Sequence, residues 1–202
     1  MDFRIVKFAL ATANPGKIRE MREILERFGI DITTRKELGI DMDVEETGST
    51  FAENALIKAK AICEASGFPS IADDSGLCVE TLGGAPGIYS STFGGADLNA
   101  EQRCEYITSL MKNMEHRSAK FVCVIVCVFP DGNIITAEGE CRGEVIYAPR
   151  GSGGFGYDPV FLVSGADKTM AELSQEEKNE VSHRGKALRR FSELLDVCHI
   201  EK

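Results

Sequence analysis

Ile71-Ala72-Asp73-Asp74-Ser75-Gly76-Leu77 is the stretch on which the reading of this chain turns. It follows Pro69-Ser70 and reads as the end of a short apolar strand running into two carboxylates, a serine and a glycine. Adjacent aspartates repel, and Asp is a poor strand former. Their place directly after Ile71-Ala72 predicts a concentrated negative charge at a strand end. A divalent cation would account for it, because hard ions such as Mg²⁺ take carboxylate oxygens and complete their shell with water and phosphates. An Asx turn would account for it as well, since Asp and Ser bond nearby backbone. Spacing alone leaves both open.

Outward toward the N-terminus, Phe3 to Ala11 is strand-like and ends at Thr12-Ala13-Asn14-Pro15-Gly16-Lys17, a turn by composition. Ile18, Met21, Ile24, Leu25 and Phe28 then form one helical face, with Gly29 as the stop. A strand, a Gly-containing turn and a helix that opens near Lys17 predict an anion site of outward N–H groups and a lysine. Such a junction can equally be an ordinary strand-to-helix turn. It is not a Walker A loop, because Ile18 stands where Ser or Thr should follow Gly-Lys. Ile30 to Thr34 reads as a second strand. Asp41-Met42-Asp43-Val44-Glu45-Glu46 places four acids in six residues, either a solvated loop or a second source of metal ligands. Thr50-Phe51-Ala52-Glu53 fits a capping box for a helix to about Ala65. Lys58 falls on the apolar face of that helix with Phe51, Ala55 and Ile62, so it either snorkels or meets an anion.

Outward toward the C-terminus, Leu77 to Glu80 continues extended and Gly83 to Ser91 reads as an irregular loop. Asn99 to Met114 has helical spacing. Ala119 to Phe129 is apolar and β-branched, which predicts a central strand covered on both faces. Pro130-Asp131-Gly132-Asn133 predicts a hairpin turn, Ile134 to Gly139 its return strand, and Gly143 to Tyr147 a further pairing strand. Mixed strands, helices and hairpins without a linker or repeat predict one α/β domain with a mixed sheet. Gly151-Ser152-Gly153-Gly154-Phe155-Gly156-Tyr157-Asp158-Pro159 sets one phenylalanine among glycines and a serine. That ring can stack on a flat ligand such as a base or anchor a long loop. Ser174 and Glu177 form another capping box, in an acidic helix to Glu180 whose only cation is Lys178. Ser182-His183-Arg184-Gly185 precedes a closing helix with Ala187, Leu188, Phe191, Leu194, Leu195 and Cys198 on one face. No G-x-S-x-G elbow accompanies His183, so a Ser-His-Asp triad is not indicated.

Composition narrows the partners. The 202 residues carry a formal charge of -9, with 43% hydrophobic and 27% charged residues. That balance suits a globular protein and argues against a duplex nucleic-acid or anionic-membrane binder. Seven cysteines without a C-x-x-C pair are neither a zinc signature nor a disulfide framework, and Cys123 and Cys127 read as small core hydrophobes. Asp2, Arg4 and Lys7 break up the first ten residues, so no signal peptide is expected. The apolar run from Phe121 to Phe129 is too short to span a bilayer. The expectation is a soluble protein of a reducing cytoplasm.

Five motifs together resemble the inosine triphosphate pyrophosphatase family, the non-canonical purine nucleoside triphosphate pyrophosphatases. They are Thr12 to Lys17; Glu45-Glu46-Thr47-Gly48 with Thr50 to Ala55; Ala72 to Leu77; Gly153 to Pro159; and Ser182 to Gly185. The resemblance runs from about Lys7 to Leu195. Ala13 departs from it, standing where many relatives carry glycine, and alanine resists φ > 0.

The resemblance implies hydrolysis of ITP, dITP and XTP to the monophosphate and pyrophosphate, with Mg²⁺ as cofactor. It also implies a homodimer of a two-lobed α/β fold (residues 1–202 as one domain), with a nucleotide cleft across a long mixed sheet. Carried onto this chain, Thr12, Ala13, Asn14, Pro15, Gly16 and Lys17 would hold phosphates, aided by Lys58 and Lys178. Mg²⁺ would lie between Asp74 and Glu45 or Glu46. Asp74 would be the general base on a metal-associated water, and Ser75 would steady the substrate. Phe155 would stack on the purine, with Gly156 and Tyr157 among the substrate-binding residues, while Asp158, His183 and Arg184 surround the base edge. A pyrimidine triphosphate pyrophosphatase of similar fold and a non-catalytic nucleotide-binding regulator are the competing readings.

Overall fold

The computed structural model describes residues 7–200, with side chains through residue 196. The Phe3 to Val6 part of the expected first strand and the side chain of Cys198 lie outside the described residues. Six strands form one mixed sheet: β1 (Phe8–Leu10), β2 (Ile32–Thr34), β3 (Ser70–Val79), β4 (Ser118–Val128), β5 (Ile134–Val145) and β6 (Phe161–Val163). Their order is β2-β1-β3-β4-β5-β6. β1 runs parallel to β2, with Phe8 opposite Ile32, and parallel to β3, with Ala9 opposite Ser70. β5 and β6 are antiparallel, with Gly143 opposite Val163. Parallel neighbours need helical crossovers, supplied by α1 (Pro15–Arg27) between β1 and β2 and α2 (Phe51–Ser66) between β2 and β3. The other helices are α3 (Ala100–Leu110), α4 (Gln175–Val181) and α5 (His183–Ile200). Among the described residues no helix is long and apolar enough to cross a membrane.

Two compact units divide the chain. The first contains residues up to Asp74, Cys123–Gly139 and the segment from Ala187. Within it β1, β2, β3 up to Asp74 and β4 from Cys123 are buried on both faces, as the apolar run of β4 predicted, whereas the first half of β5 alternates buried and exposed. Ile71, Cys123 and Ile125 pack with Met21, Leu25, Leu188 and Phe191, while Ala72, Val124 and Val126 pack with Ala55, Ala59 and Ile62. Burial pushes the Cys127 thiol well above its ordinary pKa, consistent with a small core hydrophobe rather than a reactive group. The second unit, Ser75–Val122 with Glu140–Lys186, has its own core of Leu77, Val79, Ile107, Met111, Phe121, Val145 and Phe161.

Three local expectations change. Asp73 and Asp74 are not at a strand end: β3 continues unbroken from Ser70 to Val79, and both carboxylates are buried inside it. Residues expected as separate strands on either side of Glu140 to Arg142 form the single strand β5, whose partner β6 was not anticipated. Gly143 permits that pairing, because a Cβ there would collide with the Leu162 carbonyl and the Phe161 ring. Gly185 lies inside the first turn of α5 rather than before it. A side chain at Gly185 would strike the Asn179 carbonyl, and its N–H donates to Ser182 Oγ at 3.1 Å.

Candidate active site

In a strand, successive side chains leave on opposite faces. Asp73 therefore shares a face with Ile71, under α1, and Asp74 shares one with Ala72, under α2. Each covering helix delivers a lysine. Lys17, in the first turn of α1, meets Asp73 Oδ2 at 3.0 Å. Lys58, from α2, meets Asp74 Oδ1 at 3.2 Å and Glu46 Oε1 at 3.1 Å. The charge that should have broken β3 is thus neutralised on both faces, which is why the strand survives it. The open question over Lys58 is answered too: its ammonium, with the side chain 12% exposed, is held by carboxylates rather than snorkelling.

The electrostatics follow from burial. Desolvation raises the Asp74 carboxyl above its ordinary pKa, against the pull of Lys58 and Lys17 and with help from Glu46. Burial also works to lower Lys58, but Asp74, Asp73 and Glu46 outweigh it and the ammonium is held above its ordinary value. The result is a carboxylate more basic than usual beside a lysine that stays charged. Glu45 and Glu46 are both exposed on the loop before α2, and Glu46 is the one brought to Lys58. Among the described residues no group of three or more His, Cys, Asp or Glu is gathered as a metal cluster.

The Thr12 to Lys17 turn is built differently from the outward-facing N–H cradle that was expected. Asn14 caps α1, its Oδ1 accepting from Gly16 N–H at 2.9 Å and Lys17 N–H at 3.2 Å. Pro15 has no N–H, Ile18 N–H donates to the Asn14 carbonyl, and Thr12 Oγ1 accepts from Asn14 N–H. These donors are satisfied within the helix start, so the lysine ammonium is the cationic element of the turn. Ala13 needs no left-handed backbone, since no non-glycine residue among those described has positive φ.

A second cluster lies within the second unit. Phe155 is half-buried, with Lys178 Nζ 4.8 Å and Arg184 Cζ 5.6 Å from its ring centroid. Lys178, expected among the phosphate-binding lysines, is instead buried against Asp158, donating to Oδ2 at 2.6 Å. The same oxygen accepts from Phe155 N–H at 2.8 Å. Gly154 lets the loop close over this pair, because at φ +71° its Cβ would run into the Asp158 carboxylate. Arg184, 1% exposed, donates from Nη2 to Ser75 Oγ at 3.0 Å. His183 stacks on Phe121 with centroids 4.7 Å apart. Tyr157 is buried and its hydroxyl donates to the Ser90 carbonyl at 3.0 Å, tying down the glycine-rich loop. The Gly156 carbonyl accepts from the Cys104 thiol. Both buried cations lie over the Phe155 ring, cation–π contacts that hold it where it sits.

Asn54, which lies in the Thr50 to Ala55 motif and has no role assigned from sequence, is 3% exposed and its Nδ2 lies 3.4 Å from Asp74 Oδ2. Its place one turn before Lys58 on the same helix face was the available signal.

Comparison with known proteins gives a consistent picture. Residues 8–194 match the model of the Ham1 family. The dITP/XTP pyrophosphatase of Aquifex aeolicus is 48% identical over 202 residues, covering 96% of this chain and 98% of that protein. The dITP/XTP pyrophosphatase of Bacillus subtilis is 45% identical over 190 residues, covering 93% and 96%. Among solved structures, the Staphylococcus aureus Ham1 protein superposes with a TM-score of 0.85 at 41% identity, covering 94% of this chain and 98% of that one. A Ham1 protein from Coxiella burnetii gives 0.86 at 39% identity, covering 95% and 98%.

Proposed function

We propose that this chain, which belongs to the Ham1 family, hydrolyses the non-canonical purine nucleotides ITP, dITP and XTP to monophosphate and pyrophosphate, cleansing the nucleotide pool. Beyond the family itself, the observation that carries the reading is the Lys58 ammonium, 3.1 Å from Glu46 and 3.2 Å from Asp74, beside the Lys17–Asp73 pair. Phosphoryl transfer asks mainly for charge neutralisation and positioning, and this group supplies both signs of charge at fixed places.

In the proposed reaction, Lys17 and Lys58 neutralise phosphate oxygens. Asp74 takes a proton from the attacking water as the water oxygen bonds to the α-phosphorus. The bond from that phosphorus to the bridging oxygen breaks, and pyrophosphate leaves with the bridging oxygen. Ser75, next to Asp74 on β3 and held by Arg184, steadies the substrate. A cation already lies between Glu46 and Asp74 as an ammonium, so this donor set suits Mg²⁺, which binds through one or two carboxylates plus phosphates and water. Asp74 and Glu46, with Glu45 on the same loop, would hold the ion. When bound, it supplies neutralisation of phosphate charge and a more acidic water.

Phe155 stacks on the purine, with Lys178, His183 and Arg184 as donors toward its edge and Asp158 holding Lys178 in place. Donors there favour a 6-keto base over adenine, and a site without an acceptor for the 2-amino group of guanine penalises burial of that group. We further propose a cytoplasmic homodimer. The exposed tyrosines Tyr89 and Tyr147 support an interaction surface on the second unit.

The test is turnover of ITP, dITP, XTP, ATP, GTP, dTTP and UTP with pyrophosphate and orthophosphate assayed separately. Pyrophosphate from the non-canonical purines is the expected result. Equal or better turnover of dTTP or UTP would favour a pyrimidine enzyme, and tight binding with no pyrophosphate a regulator.

A further inference from the structure

We infer that Asn54 is a positioning residue for the hydrolysis, its carboxamide joining the acidic loop at Gly48 to the carboxylate of Asp74. The inference rests on the assignment of Asp74 as the base. Asn54 sits in the first turn of α2, which Thr50 caps, and is 3% exposed. Its Oδ1 accepts from Gly48 N–H at 2.8 Å. That donor settles which end of the amide is oxygen, so the end facing Asp74 Oδ2, at 3.4 Å, is the NH₂. The two oxygens of Asp74 are thereby divided: Oδ1 belongs to Lys58 and Oδ2 to Asn54. The reverse orientation would set two oxygens against each other.

Gly48 makes the same joint from the loop side. A Cβ at that position would lie 2.7 Å from both Asn54 Oδ1 and Glu53 Cβ, so only glycine lets the loop backbone reach the amide. Gly48 comes two residues after Glu46. One buried amide therefore governs how far the Glu45-Glu46 loop stands from Asp74, and how the Asp74 carboxylate is turned about its own bond. Glu53, one residue earlier, secures the same loop from outside, accepting from Ser49 N–H at 2.6 Å. The Ser49 hydroxyl donates to the same Glu53 oxygen at 2.7 Å, and the Thr50 N–H adds to the bonds that hold this carboxyl below its ordinary pKa, so Glu53 serves both the helix start and the loop.

The two arms can be cut separately. Asn54→Asp keeps the shape and an oxygen for Gly48 N–H but replaces the donor facing Asp74 with an acceptor. Asn54→Ser is too short for either arm. For a donor to a charged group at this long distance, the expected loss in N54D is about 10-fold in kcat. KM for ITP should stay within about 2-fold, the pattern of a group that acts on the reacting geometry rather than on substrate binding. Amide hydrogen exchange at Gly48, measured without nucleotide or metal, should remain slow in N54D and become fast in N54S. Native kcat in N54D while Asp74→Asn is inactive would overturn the role of Asn54 alone. So would a loss in N54D confined to KM, or unchanged Gly48 exchange in N54S. Full turnover by D74N would overturn the base assignment and this inference together.

Discussion

Removing the charge from Asp158 should loosen the Phe155 loop and destabilise the second unit together. Lys178 donates to Asp158 Oδ2 at 2.6 Å, with the two side chains 4% and 5% exposed. At 2.6 Å and an effective dielectric of about 20, Coulomb's law gives about 6 kcal/mol of attraction. Desolvation of the two ions takes part of that back, and deleting one member of such a buried pair costs about 3–5 kcal/mol. At about 2–4 °C per kcal/mol for a chain of this size, the melting temperature of Asp158→Asn should fall by about 6–20 °C. Asparagine retains an oxygen for Phe155 N–H, which Asp158 now holds at 2.8 Å, so the change isolates the charge. Lys178→Met should cost a similar amount. The double variant should recover most of it, because replacing both ions removes the stranded charge. Thermal unfolding of the three variants measures the coupling, and KM for ITP measured alongside should rise in both single variants as the ring loses its support. A D158N melting point within about 1 °C of native, or a double variant whose loss equals the sum of the singles, would refute the reasoning.

Three further outcomes are expected. Asp74→Asn should lower turnover by about 10²–10⁴-fold, the scale of a general base, while calorimetry still detects nucleotide binding; near-native turnover would remove Asp74 from that role. Phe155→Ala should raise KM more than it lowers kcat, as loss of uniform binding does, and a fall in kcat at constant KM would contradict stacking. Glu37 gives a pH signature. The Thr34 N–H, the Arg22 guanidinium and the Thr34 hydroxyl hold its carboxyl down from 4.5 to about 2. A carboxyl depressed on folding contributes stability above its unfolded value, and that contribution is lost as pH falls from about 4.5 toward 2. Denaturant unfolding across this window should show a smaller loss in Glu37→Gln than in the native chain; equal slopes would sink the assignment.

Elements written in local signals were legible. The periodic face from Ile18 to Phe28 became α1, Thr50 caps α2, and the apolar run became β4. The Ser174–Glu177 capping box forms in both directions at the start of α4. Each depends on residues within a turn or two of one another. β3 was misjudged because the lysines that neutralise Asp73 and Asp74 come from α1 and α2, far from them in the chain. β6 has only three residues, too few to show a period.

The residue types at the candidate site were determined by the sequence alone: the aspartate pair, the lysines at 17 and 58, the glutamates at 45 and 46, and the phenylalanine among glycines. Their partnerships were not. Which lysine serves which aspartate depends on which face of β3 each helix covers. Lys178 turned from a phosphate candidate into the partner of Asp158 because α4 buries it there. Asn54 acquired a role because a glycine let a loop approach it. Charges and amides interact over a few ångströms of space, and that distance is set by packing, which no local pattern of residues records.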